Sequence, residues 1–253
     1  MDQQPVISLR NVTKVYEIGQ TRLKALNDVS LDVYPGEFAL IVGRSGSGKS
    51  TLLNMLAGLE HPTRGQILVA GKRIERLSEN KLVSFRLKNI GFVFQSFNLF
   101  PSQTALENVA VPLMYRGIAP ARRMRMAREM LKSVGLLSHA GHTPAQMSGG
   151  QQQRVGIARA LVTSPRILFA DEPTGNLDYN TSREILALIH RSCKARGTTL
   201  IMVTHDGEIA KYADRVITLL DGHVTEDRVN PAPEPLPEAR HDNDTQSEND
   251  FES

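Results

Sequence analysis

Gly43-Arg44-Ser45-Gly46-Ser47-Gly48-Lys49-Ser50 decides the fold of this chain, because it matches the phosphate-loop pattern G-x-x-x-x-G-K-[ST] at every position. The apolar run Phe38-Ala39-Leu40-Ile41-Val42 precedes it and predicts a buried strand, and residues 49–59 are predicted to be helical. Glycines let the backbone wrap closely around a phosphate group, and a helix N-terminus adds positive potential. A flexible Gly-Ser turn is the alternative, and the strand-loop-helix setting favours the phosphate site over it.

The last residues of this loop carry the side chains that can bind phosphate and a metal ion. Lys49 is predicted to reach the β- and γ-phosphates of a nucleotide, and the Ser50 hydroxyl is predicted to bind Mg²⁺. The candidate nucleotide-binding residues of this segment are Gly43, Arg44, Ser45, Gly46, Ser47, Gly48, Lys49, Ser50 and Thr51.

A pair of carboxylates, Asp171 and Glu172, follows a second apolar run, Ile167-Leu168-Phe169-Ala170. A carboxylate at the end of a strand can complete a Mg²⁺ shell, and its neighbour can polarise an attacking water. Acidic residues after a strand are more often simply solvated. Beside a phosphate loop the pair instead predicts a metal ligand at Asp171 and a catalytic base at Glu172.

Strand and helix patterns alternate along the body of the chain, which predicts an α/β fold with a parallel sheet. Residues 199–203 and 216–220 read as further strands, and residues 182–196 lie in a predicted helix between strands. Between about residues 99 and 147 the strand pattern disappears, and residues 105–114 and 121–134 look helical. A helical subdomain is therefore predicted as an insertion.

A second glycine-rich turn, Met147-Ser148-Gly149-Gly150-Gln151, leads into another predicted helix. Its backbone donors and serine suit an anion. An ordinary Ser-Gly helix cap explains the same residues, and from these residues alone both readings remain open.

Composition excludes two classes of protein. The 253 residues contain no apolar run near the roughly 18–20 residues of a membrane-spanning helix, and Cys193 cannot form an internal disulfide. A membrane-embedded protein and a disulfide-stapled secreted domain are thus not expected, and no signal peptide is visible at the N-terminus. Arginines cluster in residues 122–128, but no aromatic residues lie between them for base stacking, so no nucleic acid is expected as a partner.

The charge of the chain is unevenly distributed. Residues 226–253 hold nine acidic residues and two arginines, a net charge of −7, whereas residues 1–225 carry +10. This last segment is also rich in proline and poor in large apolar residues. It is predicted to be a disordered, solvated tail, with a regulatory or partner-binding role as the alternative.

The phosphate loop, residues 147–151 and residues 167–172, in this order and spacing, resemble the ATP-binding subunit of an ABC transporter. Met147 replaces the leucine usual in the family's signature sequence. The resemblance covers residues 6–224. It implies a P-loop NTPase core with a parallel sheet, an antiparallel β subdomain and an inserted α-helical subdomain at about residues 97–160.

The resemblance also assigns roles to single residues. Gln95 matches the glutamine that touches Mg²⁺ and the attacking water, and His205 matches the switch histidine that contacts the γ-phosphate. Tyr16 matches the aromatic residue that stacks on adenine, and Asp178 ends a loop that crosses between subunits. The implied catalytic residues are Glu172, His205, Gln95 and Lys49, and the implied metal ligands are Ser50, Gln95 and Asp171. Residues assigned to a second copy's nucleotide are Ser148, Gly149, Gly150 and Gln151.

The family logic implies ATP and Mg²⁺, a sandwich dimer of two copies, and an integral membrane permease on a separate chain. The expected place of such a subunit is peripheral, on the cytoplasmic face of the membrane. Residues 94–101 and 171–178 resemble the lipoprotein-release, macrolide-export and FtsE-like group. Phe97, Leu99 and Phe100 are candidates for a groove that accepts a membrane partner's helix, or simply for subdomain core. The alternatives for function are a soluble ABC ATPase and an ATP-dependent scaffold.

Overall fold

A computed structural model describes residues 4–19 and 21–236 of the chain. The strands in this part are β1 (Ile7–Ile18), β2 (Thr21–Val33), β3 (Phe38–Val42), β4 (Arg64–Val69), β5 (Lys72–Arg73), β6 (Ile90–Phe94), β7 (Ile167–Asp171), β8 (Thr199–Thr204), β9 (Arg215–Leu220) and β10 (His223–Val229). The α-helices are α1 (Lys49–Leu56), α2 (Glu79–Asn89), α3 (Ala105–Tyr115), α4 (Pro120–Ser133), α5 (Gly149–Leu161) and α6 (Tyr179–Arg196). Each of these helices is too short or too polar to cross a lipid bilayer.

Two sheets form the body. The larger has the strand order β10-β9-β3-β8-β7-β6, with parallel pairing from β9 through β6 and an antiparallel edge at β10. The smaller, β2-β1-β4-β5, is antiparallel throughout. The predicted α/β fold with a parallel sheet, an antiparallel β subdomain and a helical insertion is confirmed.

The parallel sheet is covered on both faces, which explains its continuous apolar runs. Alternate residues of β7 divide between two cores: Leu168 and Ala170 face the helices α3 to α6, whereas Ile167 and Phe169 face α1 and the antiparallel sheet. Both faces are sealed, so the polar chemistry of β7 begins only at its carboxyl end, at Asp171.

The helical insertion is held by a buried polar side chain. Asn108 in α3 is fully buried, and its amide nitrogen donates to the carbonyls of Phe100, Gln103 and Thr104 at 3.1 Å each. Its Oδ1 accepts from the Phe100 N–H at 2.8 Å. Four bonds from one residue fix the loop that leads from β6 into the insertion.

Two predicted boundaries are wrong. Helix α1 ends at Leu56 instead of residue 59, because Gly58 takes a left-handed conformation and closes the helix. The predicted disordered tail begins too early, because residues 226–229 belong to β10, where Arg215 donates to Asp227 at 2.6 and 2.7 Å. Asn230 and Glu234 then bond to the backbone of Asp214 and Lys211. Residues 237–253 lie outside the described residues, so the tail prediction stays a prediction there.

Candidate nucleotide site

The phosphate loop lies between the carboxyl end of β3 and the start of α1. Gly48 precedes α1 at φ +101°, and no side chain in the described part of the chain caps the helix, so the first amides of α1 are left for a ligand. A Cβ on Gly48 would lie 2.4 Å from the Ala25 carbonyl oxygen, and one on Gly43 would lie 2.2 Å from that of Leu219. Glycine at both positions is what allows the loop to pack this closely against β2 and β9.

Two buried polar groups in the loop suit an anion. Lys49 is 6% exposed, and its ammonium donates to the carbonyls of Gly43 at 2.9 Å and Arg44 at 3.0 Å. The Ser47 hydroxyl is buried and has no hydrogen-bond partner among the described residues. A buried charge and an unsatisfied hydroxyl are costly unless a ligand completes them, and phosphate oxygens would.

Asp171 lies beside the start of α1. The Ser50 hydroxyl donates to Asp171 Oδ1 across 3.5 Å. Burial raises the pKa of the Asp171 carboxyl, and the nearby charge of Glu172 raises it further. A hydroxyl and a desolvated carboxylate are the oxygen ligands that Mg²⁺ takes in proteins, so this pair fits the cation.

Glu172 and His205 form a contact across the carboxyl ends of β7 and β8. His205 Nδ1 lies 3.0 Å from Glu172 Oε2, and the Glu172 side chain is 22% exposed against 65% for His205. Glu172 adopts φ +44°, an uncommon conformation for a residue with a side chain, and its N–H donates to the Val203 carbonyl at 3.0 Å. The turn thus fixes the carboxylate at the sheet edge, with the imidazole as its partner.

Gln95 follows Phe94, the residue of β6 that pairs with Asp171. Its amide nitrogen donates to Asn176 Oδ1 at 3.4 Å, and the Asn176 amide donates back to the Gln95 carbonyl at 3.1 Å. The structure therefore places Gln95 at the same sheet edge as Asp171 but bonds its side chain to Asn176, with no hydrogen bond to Asp171 or Glu172 among the described residues.

Tyr16 forms one wall of the cavity at the phosphate loop. This cavity measures about 480 Å³ and is lined by Tyr16, Ser45, Lys49, Thr51 and Glu172 among others. The Tyr16 hydroxyl donates to Glu60 Oε2 at 2.5 Å, and burial together with Glu60 raises the pKa of Tyr16. The aromatic ring is held in place beside the loop, where the resemblance put the adenine contact.

The second glycine-rich turn caps α5. The Ser148 hydroxyl accepts from the Gln151 N–H at 3.3 Å, and the Ser148 N–H donates to Gln151 Oε1 at 3.0 Å. A Cβ on Gly150 would lie 2.7 Å from Thr181 Cγ2, so the turn packs against the start of α6, which Asp178 caps. The hydrogen bond from the Thr181 side chain and N–H lowers the pKa of Asp178. The same chain's phosphate-loop cavity is lined by none of residues 148–151.

An apolar groove of about 330 Å³ separates α2 and β6 from the helical insertion. Its lining includes Leu59, Leu87, Phe92, Phe100 and Pro112. Of the three residues predicted for such a groove, Phe100 lines it. Leu99 packs against the core of the helical insertion, and Phe97 lies against the turn at Gly149.

The family follows from direct comparison. A protein-family model described as ABC transporter matches residues 26–175. The chain belongs to the ABC transporter family. An uncharacterised ABC transporter ATP-binding protein of Thermotoga maritima is 47% identical over 87% of this chain and 93% of its own length. The lipoprotein-releasing system ATP-binding protein LolD 2 of Caulobacter vibrioides is 46% identical over 89% and 99%.

Other matches extend the comparison to longer proteins and to solved structures. The macrolide export ATP-binding/permease protein MacB of Marinobacter nauticus is 44% identical over 90% of this chain, which spans only 35% of that protein. The dimeric ATP-binding cassette MJ0796, in a post-hydrolysis state bound to ADP and Pi, superposes with a TM-score of 0.82 at 43% identity over 88% of this chain and 98% of its own. The predicted likeness to the lipoprotein-release and macrolide-export group is confirmed, and this chain is an ATP-binding subunit of the ABC transporter type.

One residue of the site was not found from the sequence. Gln153 in α5 is fully buried, and its amide nitrogen donates to the carbonyls of Pro173 at 2.5 Å and Phe94 at 3.3 Å. These carbonyls belong to the residues after Glu172 and before Gln95. The available signal was a glutamine one helical turn before Ile157, which places the two side chains on the same face of the predicted helix.

Proposed function

We propose that this chain hydrolyses ATP to ADP and phosphate, and that it does so as a dimer of two copies. The observation that carries the proposal is the contact between Glu172 and His205, 3.0 Å apart at the sheet edge, with Glu172 also in the wall of the phosphate-loop cavity. A fixed carboxylate beside a phosphate cradle is what activation of water requires.

Different residues of the proposed site bind the phosphates, the adenine and the metal ion. Lys49 and the free amides at the start of α1 bind the phosphates, and the Tyr16 ring stacks on the adenine. Ser50 and Asp171 would hold Mg²⁺, and the Gln95 amide would reach the ion only if its side chain left Asn176. When bound, Mg²⁺ neutralises charge on the phosphate oxygens.

Water attack on the γ-phosphorus requires a proton acceptor. Glu172 takes that proton as the bond between the γ-phosphorus and the ADP oxygen breaks. His205 Nδ1–H donates to Glu172, and only the doubly protonated ring, which also carries an N–H at Nε2, can donate to a γ-phosphate oxygen at the same time. Catalysis then consists of positioning and electrostatic stabilisation.

The second copy completes each site. Ser148, Gly149, Gly150 and Gln151 line none of their own chain's phosphate-loop cavity, yet they present a helix N-terminus of the kind that binds phosphate. In the proposed dimer they face the partner copy's nucleotide, with Asp178 and its loop at the crossing. The dimeric cassette MJ0796, with ADP and Pi bound, supports this arrangement.

We propose that a separate membrane subunit receives the movement that the dimer makes as it closes around ATP and reopens after hydrolysis. In MacB an ATP-binding and a permease function share one name and one chain, and this chain spans only 35% of it. The apolar groove that includes Phe100 is the proposed docking place for a helix of such a permease. Through it the chain would lie peripherally on the cytoplasmic face of the membrane.

The test is Glu172→Gln, with Glu208→Gln as the matched control on an exposed carboxylate nearby. The Glu172→Gln variant should bind ATP, dimerise with it, and hydrolyse it at least about a hundredfold more slowly, because the base is lost. Phosphate release and size-exclusion chromatography measure both effects. Hydrolysis at the parental rate would contradict Glu172 as base; ATP-dependent dimers in an inactive parental protein would favour a scaffold, and activity unaffected by any membrane partner would favour a soluble ATPase.

A further inference from the structure

Two histidines lie beside the signature turn, defined here as Met147–Gln151, and the proposed reaction uses neither. His139 ends a 3-10 helix, Leu137–His139, just after α4. Its Nε2 lies 3.2 Å from Gln151 Nε2, and its Nδ1 lies 3.0 Å from the Ser138 hydroxyl. The His142 ring packs edge-on against it, with ring centroids 4.9 Å apart. Gln151 is therefore bonded on both sides, to Ser148 and to His139.

The direction of these bonds can be worked out from one fixed donor. The Ser148 backbone N–H can only donate, so the Gln151 atom that it meets at 3.0 Å is the carbonyl oxygen Oε1. The Gln151 amide nitrogen consequently faces His139, and that nitrogen has two protons and no acceptor capacity.

His139 must then accept the bond at Nε2. Its proton is placed on Nδ1, from which it donates to the Ser138 hydroxyl. The other neutral tautomer, and the charged ring, would set an N–H of His139 against an N–H of Gln151. Only the neutral Nδ1–H tautomer satisfies both contacts.

We propose that His139 is a positioning residue for the signature turn, acting as the acceptor that fixes the Gln151 amide and, through it, the Ser148 backbone. This inference rests on the proposed function, in which Ser148 meets the partner copy's nucleotide. With the acceptor removed, the Gln151 side chain turns away from Ser148. The turn then populates its binding geometry less often, which weakens the ATP-bound dimer and leaves ATP binding to the monomer unchanged.

Two substitutions of His139 distinguish a role as hydrogen-bond acceptor from a role in packing alone. His139→Ala removes the acceptor, whereas His139→Gln returns an amide oxygen near the place of Nε2. The control is His61→Ala. His61 is a partly exposed histidine that pairs with Glu79 and lies far from His139 in the sequence. In the Glu172→Gln background we expect His139→Ala to raise the dissociation constant of the ATP-dependent dimer about five- to a hundredfold, the effect of one net hydrogen bond in each of the two copies. His139→Gln should stay within about twofold of the parent.

The tautomer is read directly by NMR. With ¹⁵N-labelled histidine at about pH 8, long-range ¹H–¹⁵N correlations should show the Nδ1–H pattern for His139, a resonance identified by its absence in His139→Gln. An Nε2–H pattern overturns the inference. So does a dimer of His139→Ala as tight as that of the Glu172→Gln parent, or a His139→Gln variant as weak as His139→Ala. If the Glu172→Gln parent itself forms no dimer with ATP, the proposed function fails separately, and the NMR result alone decides the His139 contact.

Discussion

The phosphate loop and the signature turn are both glycine-rich and both begin a helix, but they satisfy their backbones in opposite ways. The phosphate loop carries no capping side chain, takes left-handed glycines at Gly46 and Gly48, and leaves the Ser47 hydroxyl without a partner among the described residues. The signature turn is closed by reciprocal bonds between Ser148 and Gln151, and its glycines have ordinary dihedral angles. The phosphate loop needs a ligand to complete its hydrogen bonds, whereas the signature turn is already closed within the chain and exposes Ser148 for a partner to meet.

The largest expected effect is on ATP hydrolysis, in one variant that disables the phosphate loop and another that disables the signature turn. Lys49→Ala removes the buried ammonium, and Ser148→Asp keeps a good helix cap while setting a negative charge toward the partner's phosphates. Each variant alone should lose at least about a hundredfold in ATP hydrolysis, because transition-state charge is no longer stabilised. Phosphate release measures the loss, and Lys81→Ala, an exposed lysine, is the control.

Mixing the two variants decides whether the regions meet between chains. A mixed dimer pairs the intact phosphate loop of the Ser148→Asp copy with the intact signature turn of the Lys49→Ala copy. An equal mixture should therefore recover hydrolysis at about a quarter of the parental sites if copies pair at random. No recovery, with mixed dimers shown to form, would mean that each chain completes its own site.

The second-largest effect is on the free energy of unfolding, which should fall more for an alanine in the phosphate loop than for one in the signature turn. Gly48→Ala should lower the free energy of unfolding by about 1–3 kcal/mol or more, because its φ is +101° and the new Cβ meets a carbonyl at 2.4 Å. Gly149→Ala has an ordinary φ, and its Cβ would lie 3.3 Å from Leu177 Cδ2, so a change under about 1 kcal/mol is expected. Urea denaturation of both variants measures the difference, and equal losses would contradict the contrast.

The smallest effect concerns Asp171, the carboxylate that accepts from the Ser50 hydroxyl. Burial and Glu172 raise its pKa in the folded state, so the charged carboxylate is disfavoured there relative to the unfolded chain. The associated stability is complete below the unfolded pKa of about 4 and is lost as pH rises through the folded value. Asp171→Asn should therefore raise the melting temperature of the nucleotide-free protein at neutral pH, and the gain should shrink below about pH 4.

Thermal melts of the parent and of Asp171→Asn across pH measure that difference, with Asp206→Asn as the control at an exposed helix cap. A variant that melts lower than the parent at neutral pH would show that Asp171 stabilises the free protein. Hydrolysis should fall in either case, because the proposed ligand of Mg²⁺ is lost.

Local patterns predicted the strands and the sheet edge because a parallel strand buried on both faces needs an unbroken apolar run, as residues 167–170 show. The contact between Glu172 and His205 joins residues 33 positions apart, so no local pattern reports it, and only the family resemblance pointed to His205. The tail boundary was misplaced for the same reason. Asp227 looks solvated from its neighbours in sequence, yet Arg215 binds it with two hydrogen bonds.

Gln153 connects the helix of the signature turn to the carboxyl ends of β6 and β7. It lies in the second turn of α5, the helix that the signature turn starts, and its single amide group holds the backbone on both sides of the catalytic edge, at Phe94 and Pro173. If α5 tilts, these two hydrogen bonds would pull on the backbone beside Gln95 and Glu172. In the proposed reaction cycle the helical insertion would act as a lever whose short arm ends at this sheet edge, so that a load on its far end would change the distance between Gln95 and Glu172.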